Sequence, residues 1–222
     1  MEYQFIRERV LEIIIRCNIK TFPINCEEII DMLGYKVYRY SELSYKKWVS
    51  CLLVSDVSFK YLDAIYCNDE MSIGRYRFSI MHELGHIILG HGEYRNTEYE
   101  KQADYFASCM LIPRMVLHYT RCNSVTEISR LFIVSHSAAN VIYQDYCKWI
   151  SLIKKNKMSS DDQKMYKHFY NKEYGGFVYK IGKCSCGKVI YNSQIDSCLS
   201  CLQTREKLRY YFSTYNNIGF CD

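Results

Sequence analysis

Two prolines and ten glycines in 222 residues leave little of the chain to open turns or extended linkers. That scarcity, with 49% of residues hydrophobic, excludes collagen-like, proline-rich and disordered classes. No uninterrupted apolar run approaches the ~20 residues that a membrane-spanning helix requires. An export signal is missing as well: in "MEYQFIRERVLEIIIRC", Glu8 and Glu12 stand where its uncharged core would lie. Ile6, Val10, Ile13 and Ile14 sit instead at helical spacing, which predicts an amphipathic helix facing a core. A chain of this length suits one well-cored domain with a small appendage.

Cysteine is plentiful, at twelve residues, but a disulfide framework is not what they spell. Eight are scattered singly, and four cluster at Cys184, Cys186, Cys198 and Cys201. Without an export signal the expected compartment is the cytoplasm, where scattered thiols stay reduced and a tight cluster suggests metal. Charge is unevenly placed. Residues 148–210 hold 13 basic and 5 acidic side chains, a net of +8, while the remainder holds 16 and 19, a net of −3. Such a basic part reads as a lysine-rich solvated face or as a contact for nucleic acid or an acidic partner.

The chemistry concentrates in "SIMHELGHIILGH", residues 79–91. Phe78, Met81, Leu84 and Ile88 recur three or four apart, so the stretch should be helical. Two histidines four apart, His82 and His86, then project from one face and can reach one ion. Glu83 is placed to act as general base, taking a proton from a water at that ion. The third ligand is less direct. His91 lies five residues after His86, and a continuing helix would turn it about 140° away. It could serve only if the helix broke sharply at Gly90; otherwise it is a histidine whose charge suits a helix C-terminus.

A better third ligand lies in "NTEYEKQADYFASCMLIP". Ala103, Phe106, Ala107, Met110 and Leu111 form an apolar stripe, and Pro113 should stop the helix. Glu100 and Asp104 border that stripe and are expected to lean inward. Zinc held by Glu100, and a ligand imidazole N–H held by Asp104, would satisfy both carboxylates. A capping box between Thr97 and Glu100 explains Glu100 alone and leaves Asp104 without a role.

These stretches, "RYRFSIMHELGHIILGH" then "EKQADYFASCMLIP", resemble the ImmA/IrrE family of bacterial metallopeptidases. The resemblance extends more loosely upstream to "FPINCEEIIDMLGYKVY" and downstream to about Tyr146. It implies zinc on His82, His86 and Glu100, with Glu83 as general base, in a compact zincin-like α+β domain. It also implies a regulatory role: inactivation, by cleavage or otherwise, of a helix-turn-helix repressor, often of a prophage or mobile element. A donor to the developing oxyanion is still required. Tyr94, Tyr99, Tyr105, His118 and His136 qualify by residue type alone.

Other elements are predicted more coarsely. "FPINCEEIIDMLGY" should contain a short helix, and "KVYRY", "CLLVSD" and "YLDAIYCND" read as strands. Within "SVTEISRLFIVSHSAANVIYQDY" a capping box at Ser124 and Glu127 precedes two helices joined by a tight turn. A DNA-reading helix-turn-helix has that outline. Its second helix, however, has no Arg or Lys before Lys148, which favours a core-packing pair.

"KCSCGKVIYNSQIDSCLSC" pairs C-x-C with C-x-x-C across eleven residues, the first of them Gly187. That spacing suits a closed Cys₄ site, a structural zinc in a small ribbon whose strands include "KVIY" and "KLRYYFSTY". A redox dithiol or an iron site are its rivals. Gly187 would allow the tight turn, and Cys221 is read as a bystander. The expected architecture is thus α+β: a metallopeptidase domain at 1–147 with a small sheet and active-site helices, a basic helical linker at 148–178, and a ribbon at 179–222. Two zinc ions are implied, one catalytic and one structural. The expected activity is zinc-dependent endopeptidase action on a protein substrate, with no membrane partner and nucleic acid less favoured. The alternative is a non-proteolytic antirepressor or binding module whose metal site is structural.

Overall fold

A computed structural model describes residues 2–92, 96–154 and 158–216. Helix α1 (Glu2–Arg16) buries Ile6, Val10, Ile13 and Ile14, the face its spacing predicts. Helix α2 (Cys26–Met32) is capped by Asn25, whose side chain accepts from the Glu28 N–H. Three short strands follow: β1 (Lys36–Arg39), β2 (Ser58–Tyr61) and β3 (Ala64–Cys67). They form one sheet in the order β1-β3-β2, parallel between β1 and β3 and antiparallel between β3 and β2. Among the described residues, edge strand β2 therefore has one side free of strand partners. Ile65 and Cys67 on β3 are fully buried, which anchors the sheet to the helices beneath it.

Helix α4 (Ile73–Ile88) packs against that sheet and crosses α5 (Thr97–Leu111). Around them lie α6 (Arg114–Thr120), α7 (Val125–Phe132), α8 (His136–Ile153) and α9 (Ser160–Phe169). Pro113 ends α5 as its position predicts. The α7–α8 pair buries Ile128, Phe132, Ala139, Ile142 and Trp149, the pattern of a core-packing pair. Buried Arg77 ties α4 to this pair. Its guanidinium donates to the carbonyls of Ile24, Phe132 and Ile133, replacing water for a charge that would otherwise be costly to bury.

Residues 148–178 are more than a spacer. Phe169 and Phe177 are buried in the same core as Phe22, and buried Asp162 accepts from Arg114, Trp149 and Ser159. A two-residue hairpin, β4 (Tyr170–Asn171) with β5 (Gly176–Phe177), leads to a second hairpin, β6 (Ile181–Lys183) with β7 (Val189–Tyr191). Helix α10 (Leu199–Asn216) closes the described chain.

Three strand expectations are corrected. "CLLVSD" lies largely in α3 (Tyr45–Val54), because Trp48, Cys51 and Leu52 continue a helical spacing begun at Tyr45. "YLDAIYCND" is one strand plus a turn: Leu62, at φ 51°, reverses the chain so that the preceding residues form β2. "KLRYYFSTY" belongs to α10. Its aromatics suggest a strand, yet Leu208, Tyr211, Phe212 and Tyr215 are spaced as on a helix. No helix among the described residues is long and apolar enough to cross a membrane.

Candidate metal centre

The centre forms where α4 and α5 cross. At that crossing stands Gly85, where a Cβ would come within 3.1 Å of both the Ala103 Cα and the Phe106 ring. The missing side chain lets the two backbones approach, and it brings Glu100 and Asp104 beside His82 and His86. Helix α4 then stops abruptly. The Gly90 N–H donates to the Ile87 carbonyl and the His91 N–H to the His86 carbonyl, with Gly90 at φ 69°. This double bond around a left-handed residue is a Schellman cap, and it folds His91 back over the helix end.

The break that would let His91 approach the ion therefore exists, but its ring arrives on the far side of His86. His91 Nδ1 lies 3.0 Å from His86 Nδ1, and His91 Nε2 lies 2.8 Å from Gln102 Oε1. The Tyr99 ring stacks on His91, 5° from parallel. Because Gln102 Oε1 can only accept, His91 carries its proton on Nε2 and accepts at Nδ1 from His86 Nδ1–H. Asp104 Oδ1 likewise accepts from His82 Nδ1–H at 2.8 Å. Both outer nitrogens are thus committed, and the two inner Nε2 lone pairs face each other 3.0 Å apart.

Two such lone pairs repel unless a metal ion or a shared proton lies between them. Glu100 completes the triangle, with its oxygens 3.3 Å from His82 Nε2 and 3.6 Å from His86 Nε2. A tetrahedral zinc with ligand distances of about 2.0–2.1 Å would have edges of about 3.3 Å, so these residues fit the ion. Burial and the neighbouring His82, His91 and Lys60 push His86 down to about 4, which keeps its ring neutral at ordinary pH. For His82, burial opposes charge, but the Asp104 hydrogen bond and the nearby carboxylates outweigh it and hold the ring above its usual range.

Glu83 is buried beside this triangle and is fixed by edge strand β2. Its Oε1 accepts from Ser58 Oγ at 2.8 Å, and the Lys60 backbone N–H donates to the carboxylate. Burial pushes its carboxyl up, against the downward pull of Ser58, His82 and the Lys60 N–H. Lys60 itself donates from Nζ to the His91 carbonyl, which ties the strand to the capped helix end.

Two details of the expected site are corrected. The Glu100 and Asp104 side chains are 49% and 57% exposed, so they face solvent, and the cost of burying a carboxylate is not what demands their partners. The Thr97 capping box does not form, since Asn96 caps α5 by accepting from the Glu98 N–H and Glu100 is left free for the histidines. Among the oxyanion candidates, Tyr105 is bonded to Arg7, His118 to Tyr146, and Tyr99 stacks on His91. His136 opens α8, and Tyr94 lies outside the described residues. Three contributors had no evident signal in the sequence, Ser58, Lys60 and Gln102, whereas Gly90 signalled the break that turns His91.

The second cluster joins Cys184, Cys186, Cys198 and Cys201. The first pair sits in the β6–β7 turn, where Gly187 at φ 89° donates to the Cys184 carbonyl. The second pair is at the start of α10, in place of a second hairpin. Cys186 Sγ and Cys198 Sγ are 3.7 Å apart, close to the roughly 3.8 Å edge of a tetrahedral Cys₄ zinc. Backbone N–H groups of Cys186 and Cys198 draw the Cys184 thiol down to about 6, toward the thiolate that a metal requires. The eleven cysteines among the described residues are free thiols, and Cys221 lies outside them.

Comparison with known proteins places the first site in context. Residues 52–141 match the family Peptidase_M78, described as the IrrE N-terminal-like domain. That span runs from α3 into α8 and contains every residue of the histidine site. No curated protein matches the chain. A solved Mycobacterium tuberculosis transcriptional regulator aligns at 11% identity with a TM-score of 0.40. The alignment covers 88% of this chain and 61% of that one, so the chain spans about three fifths of its length. Residues 52–141 are thus similar to the IrrE N-terminal-like domain of Peptidase_M78, and a cysteine cluster that fits a zinc-ribbon-like module follows them.

Proposed function

We propose that this chain is a zinc-dependent endopeptidase. His82, His86 and Glu100 would hold the catalytic ion, and the four clustered cysteines a structural one. The observation that carries the reading is the inner pair of Nε2 atoms at 3.0 Å, each freed by a partner on its opposite nitrogen. When bound, zinc supplies Lewis acidity toward a peptide carbonyl and toward water.

The chain's own groups do the rest. Glu83, fixed by Ser58 and the Lys60 N–H, accepts a proton from the attacking water and returns it to the leaving amine. Burial raises its carboxyl toward the range where one group can serve both roles. Asp104 and His91 keep the two imidazoles turned inward. The closed Cys₄ cluster has no open position for a substrate, so its role is structural.

The substrate we propose is a helix-turn-helix repressor of a prophage or mobile element, met in the cytoplasm. In this reading residues 1–147 are the peptidase domain, 148–178 the connection packed against it, and 179–222 a recognition module. Glu83→Gln separates proteolysis from binding alone. The variant should keep its zinc and lose ~10²–10⁴-fold of its cleavage rate. If it still relieves repression, the chain acts as a non-proteolytic antirepressor.

A further inference from the structure

A groove of about 900 Å³ opens at Asp104, next to His82, and is lined by residues of α1, α4, α5 and α8. Its near end is Asp104, the residue bonded to His82, and Phe78, whose ring lies 6.5 Å from the His82 ring. Arg75 from the first turn of α4 and Tyr105 from α5 form further wall. Along the other side runs a stripe of α8 that includes Ala138, Val141 and Lys148. From Ser137 to Lys148 that stripe is roughly 16 Å long, the reach of about five residues of extended peptide.

The charges in the groove do not cancel. Among its acids, Asp104 is engaged by His82, and Asp145 accepts from the Tyr105 hydroxyl, which Arg7 contacts in turn. Lys101 is 3.8 Å from Glu98. Arg75 and Lys148 are exposed and have no ion-pair partner among the described residues. Two free cations thus stand in a groove whose lining mixes Phe78, Ala138 and Val141 with serines and Gln144, and they give it a positive field.

We propose that this groove is a specificity subsite for acidic residues on one side of the scissile bond, read by Arg75 and Lys148. The proposal rests on the peptidase reading and names the substrate class for the same site. A chain with Lys or Arg in the same register would meet like charge and be rejected. A peptide is the occupant that the peptidase reading supplies, because the groove borders Asp104, the hydrogen-bond partner of His82.

The test uses the full zinc-loaded chain and its Arg75→Glu/Lys148→Glu variant on a proteome-derived peptide library, with cleavage sites aligned by mass spectrometry. The wild type should enrich Asp and Glu within about five residues on one side of the cut, and the variant should lose or invert that preference. Equal enrichment in both proteins overturns the proposal. A parallel measurement needs no turnover. Fluorescence anisotropy with the Glu83→Gln protein compares a labelled acidic decapeptide with its lysine counterpart. The acidic probe should bind roughly tenfold tighter at low salt, and the double charge reversal should erase the difference. No difference between the probes, or a labelled oligonucleotide that binds tighter than either, sinks the subsite. Selective acidic binding without cleavage by wild type leaves the subsite standing and removes the peptidase reading.

Discussion

The Nδ1 atoms of His86 and His91 face each other at 3.0 Å, on the side of the His86 ring turned away from His82. This contact makes His91 a positioning residue: it fixes which nitrogen of His86 carries the proton. His91→Ala should weaken zinc binding by ~10–100-fold in a chelator competition. His91→Asn, whose side-chain oxygen can still accept from His86, should recover part of the loss. Unchanged affinity in the alanine variant would return His91 to a purely structural role.

Metal content should follow the two clusters independently. Elemental analysis is expected to give two zinc ions per chain for the wild type, about one for Glu100→Ala and about one for Cys198→Ser. Chelation should release the hairpin and helix around the cysteines before the core melts, because so small a module has little apolar surface of its own. Limited proteolysis across residues 181–201 would record that order. Two zinc ions in Glu100→Ala would remove Glu100 from the site.

Gly85→Ala tests the helix crossing. A methyl group 3.1 Å from the Ala103 Cα forces the helices apart and should cost ~1–3 kcal/mol in urea unfolding. Because the same displacement carries Glu100 away from the histidines, zinc affinity should fall with stability. The same substitution beyond the helix cap, Gly92→Ala, meets nothing within 4 Å and serves as the control.

The Asp162 junction has a predictable pH dependence. Burial raises its carboxyl, but Arg114, Trp149 and Ser159 together hold it below its ordinary value. A depressed folded-state value means stability that is fully present above the unfolded value of about 3.9 and is lost as pH falls through the folded one. Thermal melts should therefore show an acid-side loss that is smaller in Asp162→Asn. Asp162→Ala, which strands a mostly buried Arg114, should cost ~3–5 kcal/mol at neutral pH.

The reactive side chains were legible in the sequence because they sit on two long helices. Spacing alone brings His82 and His86 to one face and sets Glu100 and Asp104 one turn apart. Helix α1 was equally plain from its isoleucines. Contacts that depend on chain reversal were not legible. His91 joins His86 only because Gly90 adopts a left-handed conformation, and Ser58 reaches Glu83 only because Leu62 turns β2 back along β3. Helices α3 and α10 were masked by β-forming residue types, since packing and continuity can override propensity in a short segment. The sheltering of residues 160–179 by the main core had no local signature. It depends on partners such as Ile19, Lys20 and Phe22, well over a hundred positions away.

The crossing at Gly85 also sets how stiff the centre is. Glu100 stands three residues from Ala103, the α5 backbone that a Cβ on Gly85 would meet, which is roughly 4.5 Å along the helix axis. That is a short lever arm. A 10° tilt of α5 about the crossing would carry the Glu100 backbone by only about 0.8 Å. The far end of α5, at Leu111, is eight residues from the same pivot and would swing by about 2 Å. Motion of the surrounding helices is therefore scaled down where the carboxylate meets the histidines, and scaled up where α5 passes into α6.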